Sequence, residues 1–261
     1  MKQNRYSVIH PGAKIGKNVM IGPFCSIAED VIIGDNVWID SNVHIKDGVR
    51  IGNKCNVFAG AILGSIPQDL KFKGEKTYLE IGEKTTIREY CTLNVGTTAN
   101  NKTIVGSGCL LMAYVHVAHD CIVGDKVVLA NNVTLAGHIE IGYQATLGGF
   151  VAVHQFVKIG EHVMVGGGSL VRTDVPPYVT AAREPLAYAG VNNTGLKRRG
   201  FSKEQLNAIA DVYRILFVKG NNTRQAIQKI ETLLPPSEEK TKILNFITNT
   251  KRGMIKGYRS K

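Results

Sequence analysis

Aliphatic side chains recur at every sixth position through the first two thirds of the chain. Ile9, Ile15, Ile21, Ile27, Ile33, Ile39, Ile45, Ile51, Val57 and Leu63 set the phase, and Ile81, Ile87 and Leu93 resume it. Val105, Leu111, Val117, Val123, Leu129, Leu135, Ile141, Leu147, Val153, Ile159, Val165 and Val171 complete the series, in the same phase on either side of gaps at 64–80 and 94–104. A period of six fits neither an amphipathic helix nor a plain strand. It fits a short strand followed by a tight corner. Gly often follows the aliphatic residue, as at Gly16, Gly34, Gly52, Gly142 and Gly166, where it is expected to relieve backbone strain. Because side chains alternate along a strand, the position two before each aliphatic also points inward. There the chain has Val19, Cys25, Val31, Val37, Val43, Cys55, Ala61, Cys91, Cys109, Val115, Cys121, Val127 and Val133, all small or β-branched, as a narrow interior requires.

The pattern resembles the hexapeptide-repeat proteins, whose three-hexad coils stack into a left-handed parallel β-helix. The resemblance covers residues 7–175 and implies a mainly β fold. At roughly 4.8 Å per coil, about nine coils make a prism on the order of 45 Å long. After Pro176-Pro177 the rules change. Ser202-Lys203-Glu204-Gln205 is a capping box, followed at helical spacing by Ile209, Val212, Tyr213, Leu216 and Phe217 before Gly220. A second helix is predicted over 223–233 and a third from Ser237, carrying Ile243, Leu244, Phe246 and Ile247. The basic tail KRGMIKGYRSK reads as frayed. The expected division is a β-helix over 1–190, with loop insertions near 64–80 and 94–104, and a helical domain over 191–261.

The repeat also accounts for the cysteines. All five occupy the inward slot, so they read as small buried hydrophobes in a reducing compartment rather than as metal or redox groups. The formal net charge of +11 favours an acidic partner. The opening MKQNRYSVIHPGAKIGK lacks the apolar run of a signal peptide, and no segment offers the roughly 18 apolar residues that span a bilayer. A soluble, cytoplasmic protein without stable membrane insertion is expected. Nucleic acid is disfavoured, since no recognised module or aromatic-interleaved basic patch is present.

Polar exceptions to the repeat gather in one place. With 18 residues per coil, His119 shares a column with Gly137 and Gln155, and Asp120 one with His138 and Phe156. His154 stacks above Ala136 and Ala118, and His116 lies below Thr134. Four of the seven histidines thus converge on one edge. They can be polar residues on a solvated corner, or zinc ligands between subunits. Alternatively, His119 is a general base oriented by Asp120, with the unobstructed N–H of Gly137 meeting an oxyanion. Neighbouring residues of a straight strand point opposite ways, so the His119–Asp120 pairing needs the corner geometry.

The strings VHVAHDCIVGD (115–125), LAGH (135–138), AVHQF (152–156), DVPPY (174–178) and GLKRRGF (195–201) resemble the UDP-N-acetylglucosamine O-acyltransferase family over essentially the whole chain. The resemblance implies transfer of an R-3-hydroxyacyl group from acyl carrier protein to the 3-hydroxyl of UDP-N-acetylglucosamine, the first step of lipid A biosynthesis. His119 would take the hydroxyl proton, Asp120 support the imidazole and Gly137 N–H meet the thioester oxyanion. His116, His138, His154 and Gln155 would line the sugar and phosphate site. Asp69 and Lys71, in the insertion SIPQDLKFKGEK (65–76), would help hold the acceptor. Asn192, Arg198 and Arg199 match nucleotide-contacting positions, for which guanidinium groups are well suited. Gly167 matches the acyl-chain ruler. The family is a homotrimer with its site between prisms, it needs no metal or other cofactor, and acidic acyl carrier protein suits the basic charge.

Two places depart from the family pattern. Asn94 and Val95 replace a histidine and an arginine, and Thr194 stands where a glutamate is frequent. The 3-amino analogue of the sugar, acylated through nitrogen, therefore stays open as acceptor. Two rivals remain. One is the related lipid A N-acyltransferase, whose usual N-terminal uridine-binding domain has no counterpart before Ile9. The other is a zinc-dependent hydratase built on the same repeat.

Overall fold

The computed structural model describes residues 2–218, 220 and 222–257, with side chains from residue 4 onward. Its strands are mostly two residues long and stack in parallel into three sheets, which form the faces of a left-handed triangular prism. Face 1 includes Met20–Ile21 and Trp38–Ile39, face 2 Ser26–Ile27 and His44–Ile45, and face 3 Ile32–Ile33 and Val49–Ile51. The chain visits the faces in that order, so each edge is named by the two faces it joins. Between coils the strand N–H groups donate to carbonyls one rung away, as from His116 to Val133 at 2.9 Å.

The predicted interior is observed. Every aliphatic of the series from Ile21 to Val171 is buried, as is every residue of the small inward slot. The five cysteines are free and buried among them. Burial pushes the thiols of Cys91 and Cys121 up to about 12 and that of Cys109 to about 11, so they stay protonated and inert.

The glycines do something other than expected. Left-handed backbone falls two positions later, and mostly on other residues: Asn18, Asn36, Lys54, Lys84, Lys126 and Gln144 on the 3/1 edge all have φ near +55°. The glycines that precede them answer a lack of space. A Cβ on Gly142 would lie 2.5 Å from the backbone N of Glu161 and 2.8 Å from the carbonyl carbon of Gly160. Gly34 and Gly106 meet the next coil in the same way. The glycine column is what lets successive coils approach at this edge.

Both insertions keep the phase because each adds a multiple of six residues. Partners are 18 apart at Ile33 and Ile51, 30 apart at Ile51 and Ile81, and 24 apart at Ile81 and Val105. The extra residues bulge outward between Ser65 and Tyr78, and between Asn94 and Lys102. Asn94 pins the first bulge, its amide donating to the carbonyls of Ser65 and Ile66.

Beyond the last coil, Val179–Ala182 extends face 1 and pairs antiparallel with Ala187–Val191. Helix α1 (Asn193–Arg198), which the sequence pattern did not predict, precedes α2 (Lys203–Tyr213), α3 (Thr223–Leu233) and α4 (Glu238–Thr248). The predicted capping box at Ser202 and Gln205 is formed. The start of the tail is ordered rather than frayed: Lys256–Gly257 joins the sheet beside Ala187–Val191, and buried Asp174 N–H donates to Gly253 O at 2.8 Å. Residues 258–261 lie outside the described residues.

Gly142→Ala should destabilise the fold by about 1–3 kcal/mol through overpacking. Gly149→Ala, whose Cβ would find its nearest atom at 3.4 Å, should be nearly neutral. Denaturant melts at one protein concentration compare them; equal midpoints for both variants would exclude the spacing role.

Candidate active site

The two imidazoles and the carboxylate singled out above converge at the 2/3 edge. Asp120 occupies the corner with φ +59°, and His138 and Phe156 take the same left-handed position one and two coils on. That turn swings the Asp120 side chain back beside its neighbour, so His119 Nδ1 lies 2.8 Å from Asp120 Oδ2. His138 stands over the pair with Nε2 3.8 Å from Asp120 Oδ2, its ring edge-on to His119 at 5.0 Å and stacked on Phe156 at 4.6 Å.

Asp120 is fully buried, and its oxygens are crowded with donors. Oδ1 accepts from the N–H groups of Thr97 (2.9 Å) and Asn100 (3.2 Å), and Oδ2 from Thr97 Oγ1 (2.7 Å) as well as from His119. Burial alone would raise its pKa, but these hydrogen bonds, His119 first among them, hold the carboxyl below its ordinary value. An ionised carboxylate only accepts, so His119 Nδ1 carries a proton, and in the neutral ring the lone pair then falls on Nε2. Burial lowers the pKa of His138, and Asp120 opposes that shift only in part.

Gly137 completes the group. A Cβ there would stand 2.6 Å from His119 Cε1 and 2.7 Å from Nε2, so only glycine leaves room for the imidazole. Its N–H meets no acceptor among the described residues. His119, Asp120 and His138 bring their ligand atoms within 4.8 Å of one another, the spacing of a metal site. The carboxylate does not fit that duty. Its lone pairs already receive four hydrogen bonds, and a metal would have to displace the His119 proton to reach it. The donor set suits a histidine held by its carboxylate.

The remaining candidates are distributed as follows. His116 lies on face 2 with Nδ1 2.7 Å from Thr92 Oγ1, and burial lowers its pKa. His154 and Gln155 are exposed beside the edge, His154 Nδ1 donating to the Gln155 carbonyl at 3.2 Å. Asp69 leans in from the first insertion closely enough for its charge to act on His138, while Lys71 is exposed. Asn192, Arg198 and Arg199 are not part of this cluster. They gather at the 3/1 edge, where Asn192 caps α1 and donates to His162 O at 2.9 Å. There Arg199 Nη1 lies 3.2 Å from His162 Nδ1, and Arg198 is exposed. Burial, with Arg199 adding to it, lowers the His162 pKa to about 4, so the neutral ring accepts from the guanidinium. Gly167 is exposed near the 1/2 edge. Thr97, Asn100, Thr103 and His162 are contributions that the repeat pattern does not signal, whereas Phe156 stacks on His138 in the column that the pattern set.

Known proteins share this architecture. Family models match residues 174–255 ("Udp N-acetylglucosamine O-acyltransferase; Domain 2") and residues 30–65 and 102–137 ("Bacterial transferase hexapeptide (six repeats)"). A curated relative from Chlorobaculum tepidum, named acyl-[acyl-carrier-protein]–UDP-N-acetylglucosamine O-acyltransferase, is 61% identical over 93% of this chain and 92% of its own. The chain belongs to the UDP-N-acetylglucosamine O-acyltransferase family. A relative with the same name from Sulfurihydrogenibium is 56% identical over 95% of this chain and 92% of its own. The crystal structure of the Bacteroides fragilis UDP-N-acetylglucosamine acyltransferase superposes with a TM-score of 0.96 at 47% identity, covering 97% of this chain and 99% of the other. As an O-acyltransferase family member, the chain places its histidine and aspartate on a rigid edge. No helix among the described residues is long and apolar enough to cross a membrane.

Asp120→Asn should cost about 1–3 kcal/mol at neutral pH, because a carboxamide cannot accept all four hydrogen bonds. The folded-state pKa is depressed, so this stabilisation is complete above the ordinary value near 4 and is lost as pH falls through the folded value. The gap between wild type and variant should therefore close on acidification. Denaturant melts from pH 7 to 3 measure it, and a gap independent of pH would mean the buried group is not ionised.

Proposed function

We propose that this protein transfers an R-3-hydroxyacyl group from acyl carrier protein to the 3-hydroxyl of UDP-N-acetylglucosamine, the first step of lipid A biosynthesis, in the cytoplasm. The observation that carries the chemistry is the oriented imidazole: Nδ1–H bound to a buried carboxylate, Nε2 free, and a bare glycine against the ring. His119 Nε2 takes the proton of the acceptor hydroxyl as its oxygen attacks the thioester carbonyl. Gly137 N–H donates to the oxyanion of the tetrahedral intermediate. Collapse expels the thiolate, which recovers the proton from the imidazolium. Asp120 stays ionised throughout and stabilises the charged ring. His116, His138, His154, Gln155, Asp69 and Lys71 surround the acceptor. A 3-amino acceptor suits the same base and remains the second reading, because Asn94 serves the insertion loop rather than opening toward a sugar.

The active unit in this reading is a homotrimer. Two observations support it. The guanidinium pair at the 3/1 edge and the histidine cluster at the 2/3 edge lie on different edges of one prism, so a single chain does not unite them. Faces 1 and 2 carry mainly uncharged outward columns, such as Trp38, Leu110 and Met164 on one and Ile62, Thr92 and Ala152 on the other. Their shared edge exposes Phe24, Tyr90, Tyr114 and Phe150, whereas face 3 has the ion pairs Lys102–Glu80 and Lys158–Glu140. Three prisms packed through faces 1 and 2 place the 2/3 edge of one beside the 3/1 edge of the next, where Arg198 and Arg199 hold the diphosphate.

His119→Ala should abolish at least 10²-fold of the transfer rate, roughly the worth of a general base, without unfolding the chain. Mixing His119→Ala with Arg199→Ala chains, at nucleotide sugar too dilute for either alone to turn over appreciably, should restore activity at roughly a quarter of the sites by random assembly. Transfer from 3-hydroxyacyl carrier protein to both sugars is the readout. His119→Ala activity above about a tenth of wild type would remove the base assignment, and no recovery on mixing would place the site within one chain. Metal content of the purified protein tests the zinc-hydratase rival, which requires stoichiometric zinc.

The acyl length follows from Gly167. An exposed glycine leaves the groove open, so a chain of about fourteen carbons or more is expected, each buried CH₂ contributing roughly 0.8 kcal/mol. A Cβ at Gly167 would already meet Gly149 O at 3.1 Å, so Gly167→Met fills this point and should shift preference to a donor several carbons shorter. Values of kcat/KM for C10 to C16 donors decide it; an unchanged profile would show that Gly167 does not end the groove.

A further inference from the structure

We propose that the enlarged coil between Asn94 and Lys102 is a cradle for the Asp120 carboxylate, and that Thr97 is a positioning residue for His119. The inference rests on His119 being the base.

Four observations assemble it. Thr97 binds both oxygens of Asp120, through its N–H to Oδ1 (2.9 Å) and its hydroxyl to Oδ2 (2.7 Å). The hydroxyl also accepts from Ala99 N–H at 3.2 Å, so its single proton is directed at the carboxylate. Asn100 adds an N–H to Oδ1 and ties the Asp120 carbonyl through its side-chain amide, at 3.2 Å each. From the other side Asp120 N–H donates to Thr103 Oγ1 at 2.9 Å, which fixes the residue in its left-handed corner. The loop itself is closed by Asn101 N–H to Thr97 O at 2.7 Å. Thr97 and Thr103 are both buried, so water does not substitute for these contacts.

A plain corner offers a carboxylate on the next coil a single backbone N–H, as Lys17 gives Asp35 at 2.6 Å and Ser107 gives Asp125 at 2.7 Å. Six additional residues supply two N–H groups, a hydroxyl and an amide, all aimed at one residue. The Thr97 hydroxyl and the His119 imidazole share a single oxygen, Oδ2. Thr97 therefore sets both how the carboxylate is rotated and how much of its charge the ring experiences. Without the hydroxyl, Oδ2 presents more of its negative charge to the ring and to the positive charge the ring acquires on taking a proton.

Thr97→Val keeps the shape and removes the hydroxyl. It should lower kcat roughly tenfold, the worth of one hydrogen bond to a charged group, with KM for the nucleotide sugar little changed. The acidic limb of kcat/KM should move upward by roughly half a pH unit or more. Thr97→Ser should restore both. A merely structural role would lower the melting temperature and leave the pH profile in place, and that result would overturn the proposal. Should the valine variant not fold, the ¹⁵N spectrum of His119 in Thr97→Ala carries the test. A mixture of ring tautomers there, against Nδ1–H alone in wild type, supports the cradle, and an unchanged tautomer overturns it. His119→Ala activity above about a tenth of wild type would instead remove the base assignment on which this proposal rests, and is read separately.

Discussion

A triangular interior that admits one aliphatic and one small side chain per strand fixes everything else in this molecule. Each coil is hydrogen-bonded to the next along all three faces, and a slip of one residue would turn the aliphatic row outward. Register is therefore rigid. Outward side chains inherit that rigidity, because each has a set neighbour one rung above and one below. Asp120, His138 and Phe156 stack in one column, and the imidazole of His119 rests against Gly137 in the adjacent one. Vertical packing supplies part of the orientation that many folds obtain from loops alone.

Chemistry concentrates where the repeat is interrupted. At a regular corner a carboxylate receives one backbone N–H and stays at least partly solvated, as Asp35 and Asp125 do. The second insertion covers one such corner and turns Asp120 into a buried anion with four hydrogen bonds. The first insertion brings Asp69 toward His138 from the same side. Both loops add multiples of six residues, so the stack resumes undisturbed beyond them. Polar function is thus attached to the core without altering it.

The C-terminal elements serve the prism in return. Asp174 binds Lys158 N–H, Gly253 O and the Thr250 hydroxyl, which closes the last coil, and Asn192 and Arg199 hold the corner at His162. These contacts order a cationic site on the 3/1 edge, away from the histidines. Within one chain the two groups stay apart, which makes assembly part of the proposed chemistry rather than an addition to it.

The sequence by itself determined the period and the core, and through the resemblance that the period carries it implied the three-faced stack and the vertical partners of His119 and Asp120. It could do so because every rung contacts only its neighbours at a constant spacing, so burial writes itself as a one-dimensional repeat. Helix starts at Ser202 and Ser237 were legible for a similar reason, since caps are local. Tertiary structure decided the rest. Thr97 and Asn100, which hold Asp120, lie 23 and 20 residues away in a loop without period, and Arg199 meets His162 across 37 residues. The glycines proved to make room between coils, because steric clearance depends on the neighbouring backbone and not on the residue's own conformation. The intrachain contacts of Asn192, whose amide donates to His162 O and accepts from Gly195 N–H, were likewise not legible in the sequence. Side chains whose partners are set by the path of the chain, rather than by its period, leave no pattern to read.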